Sequence, residues 1–373
     1  MRGIKVIGPY NDASGYAQAF RDNVLSLYKL GFDITIQPRN FEPNPPPVSN
    51  KEHAAILDKL VGRNIKYDIT FQQLTPDLWR DHVEPDKYNI GFMAWETSLL
   101  PPKFVHSCSS VQEIWVPSDY NVSVLRSCGV EVPITKIPHS IDPNLFSSID
   151  CGEYSLKGLS NNTYKFYSIF QWIERKNPMG LVRSYFNAFD DSDDVVLILK
   201  TYRTGMGRDK DFIREKIVEI KRDMNIGAYP RVVLIGDMLS KNQVLGLHKY
   251  CDSYVCLHRG EGFGLPLFEA GLVGNPVIGT GYGGNTEFMK EDNSYLVEYQ
   301  MTYVSGMSSF NPWYLGSGQW AEPNLIDASE KMNYVFNNRI EARETGRRLQ
   351  DYIASNFSTE AVSKLMFDRL SKL

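Results

Sequence analysis

Short apolar runs alternate with segments of helical periodicity along most of the chain. Ile4, Val6 and Ile7 mark the first run, residues 8–15 form a polar loop, and Ala19, Val24, Leu27 and Leu30 then recur at near-helical spacing until Gly31 stops the helix before a second run at 32–36. That is a strand–helix–strand unit. Pro38, Pro43, Pro45, Pro46 and Pro47 fix φ and remove amide donors over 38–50, which predicts a surface excursion able to fold over a ligand or to hang free. Further strand candidates lie at 68–71, 88–95, 113–116 and 134–137. Strands alternating with helices imply a parallel sheet.

From 142 to about 162 the composition turns polar and the periodicity lapses, which sets a domain boundary. The rhythm then restarts, with strands at 165–170, 195–200, 231–235, 253–257 and 276–279 and helices at 178–189, 211–224, 241–250 and 266–271. The pattern predicts an α/β protein of two doubly wound, Rossmann-like domains, 1–145 and 146–345, with a cleft between them. Residues 346–373 form C-terminal helices, amphipathic over 351–373, that can cross back onto the first domain.

Composition narrows the function classes. A chain of 373 residues with 42% hydrophobic and 23% charged residues is an ordinary globular protein with room for two cores. With 40 Lys and Arg against 44 Asp and Glu, the formal charge is −4, so no global positive field holds a polyanion and nucleic acid is disfavoured as a partner. One local excess exists: residues 200–222 carry eight basic and four acidic side chains, able to face an anionic acceptor, a lipid headgroup or solvent. Five cysteines without close CxxC pairs argue against a disulfide framework or zinc knuckle. No run of about 18 apolar residues and no secretory leader are found, so a cytoplasmic protein without a transmembrane segment is expected; peripheral membrane contact stays open.

The densest chemistry is Glu261-Gly262-Phe263-Gly264-Leu265-Pro266-Leu267-Phe268-Glu269-Ala270, directly after a strand. Its glycines let backbone approach a ligand, Pro266 suits a first helical turn, and the amides of Phe263, Gly264 and Leu265 then face the strand's carboxyl end, where phosphates bind. Glu261 and Glu269 bracket that turn. A sugar nucleotide has the matching layout of sugar hydroxyls, phosphates and ribose hydroxyls.

Two glutamates separated by seven residues, followed by Gly274-Asn275-Pro276-Val277-Ile278, resemble the signature of the retaining glycosyltransferases of family 4, which have the GT-B fold. Supporting segments occur in that family's order: Ile114-Trp115-Val116-Pro117-Ser118, Ile137-Pro138-His139-Ser140-Ile141-Asp142, Phe170-Gln171-Trp172-Ile173-Glu174-Arg175-Lys176-Asn177-Pro178 and Leu234-Ile235-Gly236-Asp237. The resemblance spans residues 88–288 at motif level and the first strand–helix–strand unit in pattern only. It implies transfer of a sugar from a nucleoside diphosphate to a hydroxyl acceptor, with Glu261 on the sugar hydroxyls, Glu269 on the ribose, and Lys176 with Arg175 on the diphosphate. The family's Gly-Arg pair upstream of the lysine is replaced by Ser168-Ile169-Phe170-Gln171, which makes Arg175 the substitute second phosphate contact. The resemblance further implies donor contact from Ser14 and Gly15, acceptor contact from Trp95, Glu96 and His139, nucleobase contact near Met238 and Leu239, and a closing loop at 281–287. It implies no cofactor and no catalytic metal; Asp190-Asp191-Ser192-Asp193-Asp194 contains a DxD spacing but reads as a solvated turn. Three alternatives remain: a phosphorylase-type enzyme, for which no pyridoxal phosphate lysine is identified; a noncatalytic sugar-nucleotide-binding module; and transfer to a modified nucleic-acid base.

Overall fold

The computed structural model describes residues 2–12, 14–41, 51–143, 155–156, 158–203, 209–307 and 312–373. The proline-rich excursion over 42–50, Cys151 with most of the polar boundary segment, and Arg208 of the basic segment lie outside the described residues. The chain divides into two units, Met1–Asp142 with Ala354–Leu373, and Pro143–Ile353.

In the first unit, β1 (Gly3–Gly8), α1 (Gly15–Lys29), β2 (Asp33–Pro38), α2 (Lys51–Leu60), β3 (Ile69–Gln73), β4 (Tyr88–Phe92), α3 (Pro102–Cys108), β5 (Glu113–Val116), α4 (Asp119–Ser127) and β6 (Ile134–Lys136) follow one another. The six strands are parallel in the order β2-β1-β3-β4-β5-β6, so the order reverses between β1 and β3. The strand expected over 88–95 stops at Phe92. The amide of Met93 still bonds the Trp115 carbonyl, at 3.1 Å, but that of Trp95 turns to Asn121 Oδ1, at 2.6 Å, and leaves the ladder.

The second unit repeats the plan with β7 (Tyr164–Gln171), α5 (Pro178–Ala188), β8 (Val195–Tyr202), α6 (Asp209–Met224), β9 (Arg231–Ile235), α7 (Lys241–Tyr250), β10 (Ser253–Cys256), α8 (Leu265–Leu272), β11 (Val277–Thr280) and β12 (Tyr295–Val297). Its parallel order is β12-β11-β10-β7-β8-β9, with the reversal between β7 and β10. Seven consecutive buried residues in β8 are what a central strand covered on both faces requires. Its apolar side chains pack with Leu181, Val182 and Tyr185 of α5 and Ile213, Ile217 and Ile220 of α6. Both units are thus Rossmann-like α/β structures, as the sequence pattern predicts.

Beyond β12 the structure holds a hairpin and a helix that the pattern did not reveal, followed by the C-terminal helices expected over 346–373. An antiparallel hairpin, β13 (Tyr299–Tyr303) and β14 (Gln319–Pro323), has a small core of its own in Val304, Met307, Tyr314 and Trp320. Helices α9 (Leu325–Asn337), α10 (Arg339–Asn356) and α11 (Thr359–Leu370) close the chain. Helix α11 belongs to the first unit: Val362, Met366 and Leu370 share a core with Phe20 and Val24 of α1, and Ile141 bridges Ser358. Arg369 forks onto the fully buried carboxylate of Glu113, at 2.8 and 2.6 Å.

Candidate functional site

In a doubly wound sheet, ligands bind beyond the carboxyl ends of the strands where the order reverses. In the second unit those ends are the exits of β7 and β10, and the residues singled out by the sequence stand on them. After β7 the chain makes one 3₁₀ turn, Glu174–Lys176, and Asn177 takes left-handed dihedrals (φ 48, ψ 53) while its side chain accepts the Gly180 amide to start α5. After β10 it runs through His258, Arg259 and Gly260 to Glu261. Lys176 Nζ pairs with Glu261 Oε1; Arg175 Nη1 donates to the Gly260 carbonyl at 2.7 Å and lies 3.4 Å from Glu261 Oε2. Glu261 is 6% exposed. Burial alone would raise its pKa, yet the charges of Lys176 and Arg175 outweigh that and hold it at about 2. Two cations against one carboxylate leave the cluster with one positive charge in excess.

The glycine loop between Glu261 and α8 is fixed by close backbone packing. Gly264 has φ +92 and is the N-cap of α8, with no side chain to offer the first-turn amides, and Leu265 opens the helix with Pro266 beside it. Phe263 is buried against Phe268 and Phe288, with ring centroids at 5.1 and 5.2 Å. Gly284 lets the 281–287 loop approach: its amide donates to the Glu261 carbonyl at 2.7 Å, and a Cβ on it would stand 1.9 Å from the Gly262 oxygen. Such geometry presents helix-start amides beside the Glu261 cluster, a favourable setting for a phosphate.

Glu269 lies about one turn into α8 and has its own partners. Lys241 pairs with Oε1, and His248 Nε2 faces Oε2 at 3.4 Å. These two residues are seven apart on α7, hence on one face of it. Burial holds His248 below its usual pKa, with Glu269 opposing the shift; its Nδ1 lies 2.7 Å from Tyr167 Oη, and Tyr167 accepts from Asn275 Nδ2 at 2.9 Å. Burial again opposes ionisation of Glu269, and Lys241 with His248 overcomes it, to about 2.

The structure therefore brings Arg175, Lys176 and Glu261 into one cluster, with Gly262, Phe263, Gly264, Leu265 and Glu269 continuing from it. Met238 and Leu239 stand in the same unit past the end of β9, where Met238 is 85% exposed. Ser14, Gly15, Trp95, Glu96 and His139 belong to the first unit. Ser14 caps α1 by accepting the Ala17 amide, at 3.2 Å, and Gly15 is the first residue of that helix. Trp95 is buried on Phe104, and its ring N–H is spent on Thr97 Oγ1 and the Leu99 carbonyl, at 2.9 and 3.0 Å. Glu96 is half-buried in the loop that follows. His139 is buried beside Phe92, and burial lowers its pKa to about 3. Asp190 accepts from Ser192 in an exposed turn, with Oγ at 2.6 Å. Among the described residues no group of three His, Cys, Asp or Glu side chains is placed to hold a metal ion, and no helix is long and apolar enough to cross a membrane.

Sequence reasoning missed Lys241, His248 and the fully buried His258, which burial depresses to about 4 although Glu261 opposes the shift. The seven-residue spacing on α7 was the available signal for the first two.

Residues 223–301 match the family model described as "Glycosyl transferases group 1", a segment that includes both glutamates and the glycine loop. No curated protein matches the sequence. Among solved structures, the chain is similar over its whole length to the Anabaena protein Alr3699/HepE in complex with UDP and glucose (12% identity, 100% of both chains, TM-score 0.69) and to sucrose-phosphate synthase (tll1590) from Thermosynechococcus elongatus (15%, 100% of this chain and 99% of that one, 0.73). The fold is GT-B. It is also similar to the N-terminal domain of Candida albicans trehalose-6-phosphate phosphatase (14%, 100% and 99%, 0.68), so the fold by itself does not name the reaction.

Proposed function

We propose that the protein is a retaining glycosyltransferase that moves a sugar from a nucleoside diphosphate to a hydroxyl acceptor. The observation that carries the reading is the Glu261–Lys176–Arg175 cluster, with its surplus positive charge, at the carboxyl ends of β7 and β10 beside the start of α8. The family-model match over 223–301 supports it. In this reading Lys176 and Arg175 bind the donor diphosphate and stabilise the charge that gathers on it as the glycosidic bond breaks. Glycine-loop amides of Phe263, Gly264 and Leu265 share the phosphates, Glu261 accepts from the sugar hydroxyls, Glu269 from the ribose, and Met238 and Leu239 flank the base. From the first unit, Ser14 and Gly15 serve the donor, while Trp95, Glu96 and His139 serve the acceptor.

A carboxylate held near pKa 2 by two cations is a weak base and a weak nucleophile, which argues against Glu261 forming a covalent glycosyl adduct. The acceptor oxygen instead attacks the anomeric carbon from the face that the diphosphate leaves; the carbon–phosphate-oxygen bond breaks, and the acceptor proton passes to the departing diphosphate. No metal or organic cofactor takes part in this scheme. Release of nucleoside diphosphate from a panel of nucleotide sugars, with hydroxyl acceptors, tests the proposal. Turnover lost in Glu261→Gln with nucleotide binding retained is expected; normal turnover in that variant overturns it.

A further inference from the structure

We propose that Arg259 is a positioning residue that sets the diphosphate-binding cations in place by clamping their turn to the β13–β14 hairpin. The inference rests on the donor-site reading above and assigns a task to a hairpin and an arginine that it leaves idle.

The turn Glu174–Lys176 is only three residues long and is followed by a left-handed Asn177, so little within it fixes where Arg175 and Lys176 stand. Arg259 supplies the anchorage from outside. Its amide donates to the Arg175 carbonyl at 2.7 Å, and its Nη1 donates to the Glu174 carbonyl at 2.6 Å and to Glu174 Oε2 at 3.1 Å. On its other side, Nε and Nη2 form a two-pronged bridge to Glu322 of β14, with Nη2 at 3.0 Å from Oε1. The guanidinium lies 5.6 Å from the Trp320 ring centroid, and the Ala321 amide donates to the Arg259 carbonyl at 2.8 Å. One residue thus joins the turn, the exit of β10 and three consecutive residues of β14, its guanidinium reaching Glu174, Trp320 and Glu322 and its backbone Arg175 and Ala321. Only a guanidinium presents enough donors in a fixed fork to do so.

The hairpin meets the turn at two further points. Ile173 packs on the small core of Val304, Met307, Tyr314 and Trp320, and Gly306 (φ +68) comes so close that a Cβ there would stand 2.6 Å from Glu174 Cγ. Residues 173–176 are therefore bordered by the hairpin on one side and face Glu261 on the other. Arg259 itself binds carboxylates and carbonyls, and its cations are those it positions. Its loss should relax the spacing of Arg175 and Lys176, and with it the part of affinity that comes from the second phosphate.

The test compares UDP with UMP, GDP with GMP and ADP with AMP by calorimetry in wild type, Arg259→Lys and Glu322→Gln. Glu322 is partly exposed on the hairpin, so its isosteric change keeps the test open if Arg259→Lys does not fold. Both variants should lose about tenfold or more of the diphosphate-over-monophosphate affinity ratio, while monophosphate affinity stays near that of wild type. A brace that serves stability alone would lower the melting temperature and leave the ratio unchanged, which overturns the proposal. Wild type with no diphosphate preference overturns the donor-site reading instead, and the positioning role with it.

Discussion

Replacing Glu261 by Gln keeps the shape of the side chain and removes the single negative charge between two cations. The ammonium of Lys176 and the guanidinium of Arg175 then share a buried space without the carboxylate that stood between them. At the 3.4 Å separation of Arg175 from the carboxylate and an effective dielectric of about 20, the gross attraction lost from that partner alone is about 5 kcal/mol. Rehydration and side-chain relaxation recover part of it, and breaking a buried ion pair from one side costs about 3–5 kcal/mol net. For a unit of this size that is a fall of roughly 6–20 °C in melting temperature. The sign reverses when a nucleoside diphosphate is added: the vacated site has two positive charges in place of one, so the variant should bind the nucleotide at least as tightly as wild type. Each tenfold gain in affinity adds about 1.4 kcal/mol to ligand stabilisation. Scanning calorimetry at pH 7 with and without nucleotide reads both effects. The double variant Lys176→Met/Glu261→Gln should recover most of the stability and lose most of the nucleotide response. Glu261→Gln as stable as wild type without ligand, or a double variant no more stable than the single one, would refute the electrostatic argument.

Stability should fall as pH drops from about 6.5 towards 2, in two overlapping stages. His139 and His258, held at about 3 and about 4, take up protons more readily in the unfolded chain, so their contribution is complete above pH 6.5 and fades below it; Glu261 and Glu269, both near 2, lose theirs between about 4.5 and 2. Denaturant melts across that range check the slope, and a flat profile between pH 6.5 and 4 would contradict it. Gly284→Ala forces a methyl group to within 1.9 Å of the Gly262 carbonyl, so the loop must move and nucleotide affinity should fall by about tenfold or more; an unchanged affinity would show that this contact does not shape the site.

How far the chain could be read without coordinates varied with the kind of pattern. Parallel α/β units announce themselves, because buried strands such as β8 are unbroken apolar runs and the helices between them carry one apolar stripe. The turn from Glu261 to Pro266 was legible for the same local reason: each glycine and the proline has a backbone task. The hairpin was not, since its strands lie outside the alternating rhythm and β13 exposes Tyr299, Met301 and Tyr303. Helix α9 was readable in principle from Ala328, Met332 and Val335, which are spaced for one buried face. The ion partners fell between these cases. Arg175 and Lys176 adjoin a recognisable segment, whereas Lys241 meets Glu269 only because α7 packs against α8, and Arg259 meets Glu322 across a separation of 63 residues. Such pairings are made by tertiary packing and leave no mark in local composition.

The return of residues 354–373 to the first unit carries an implication for biosynthesis. Val362, Met366 and Leu370 fill the core of the first unit, and Arg369 neutralises its interior acid, so that unit cannot complete its packing until residues 354–373 have been synthesised. The second unit, finished by Ile353, has everything it needs earlier. A stop codon just before residue 354 should accordingly injure the unit whose strands were made first.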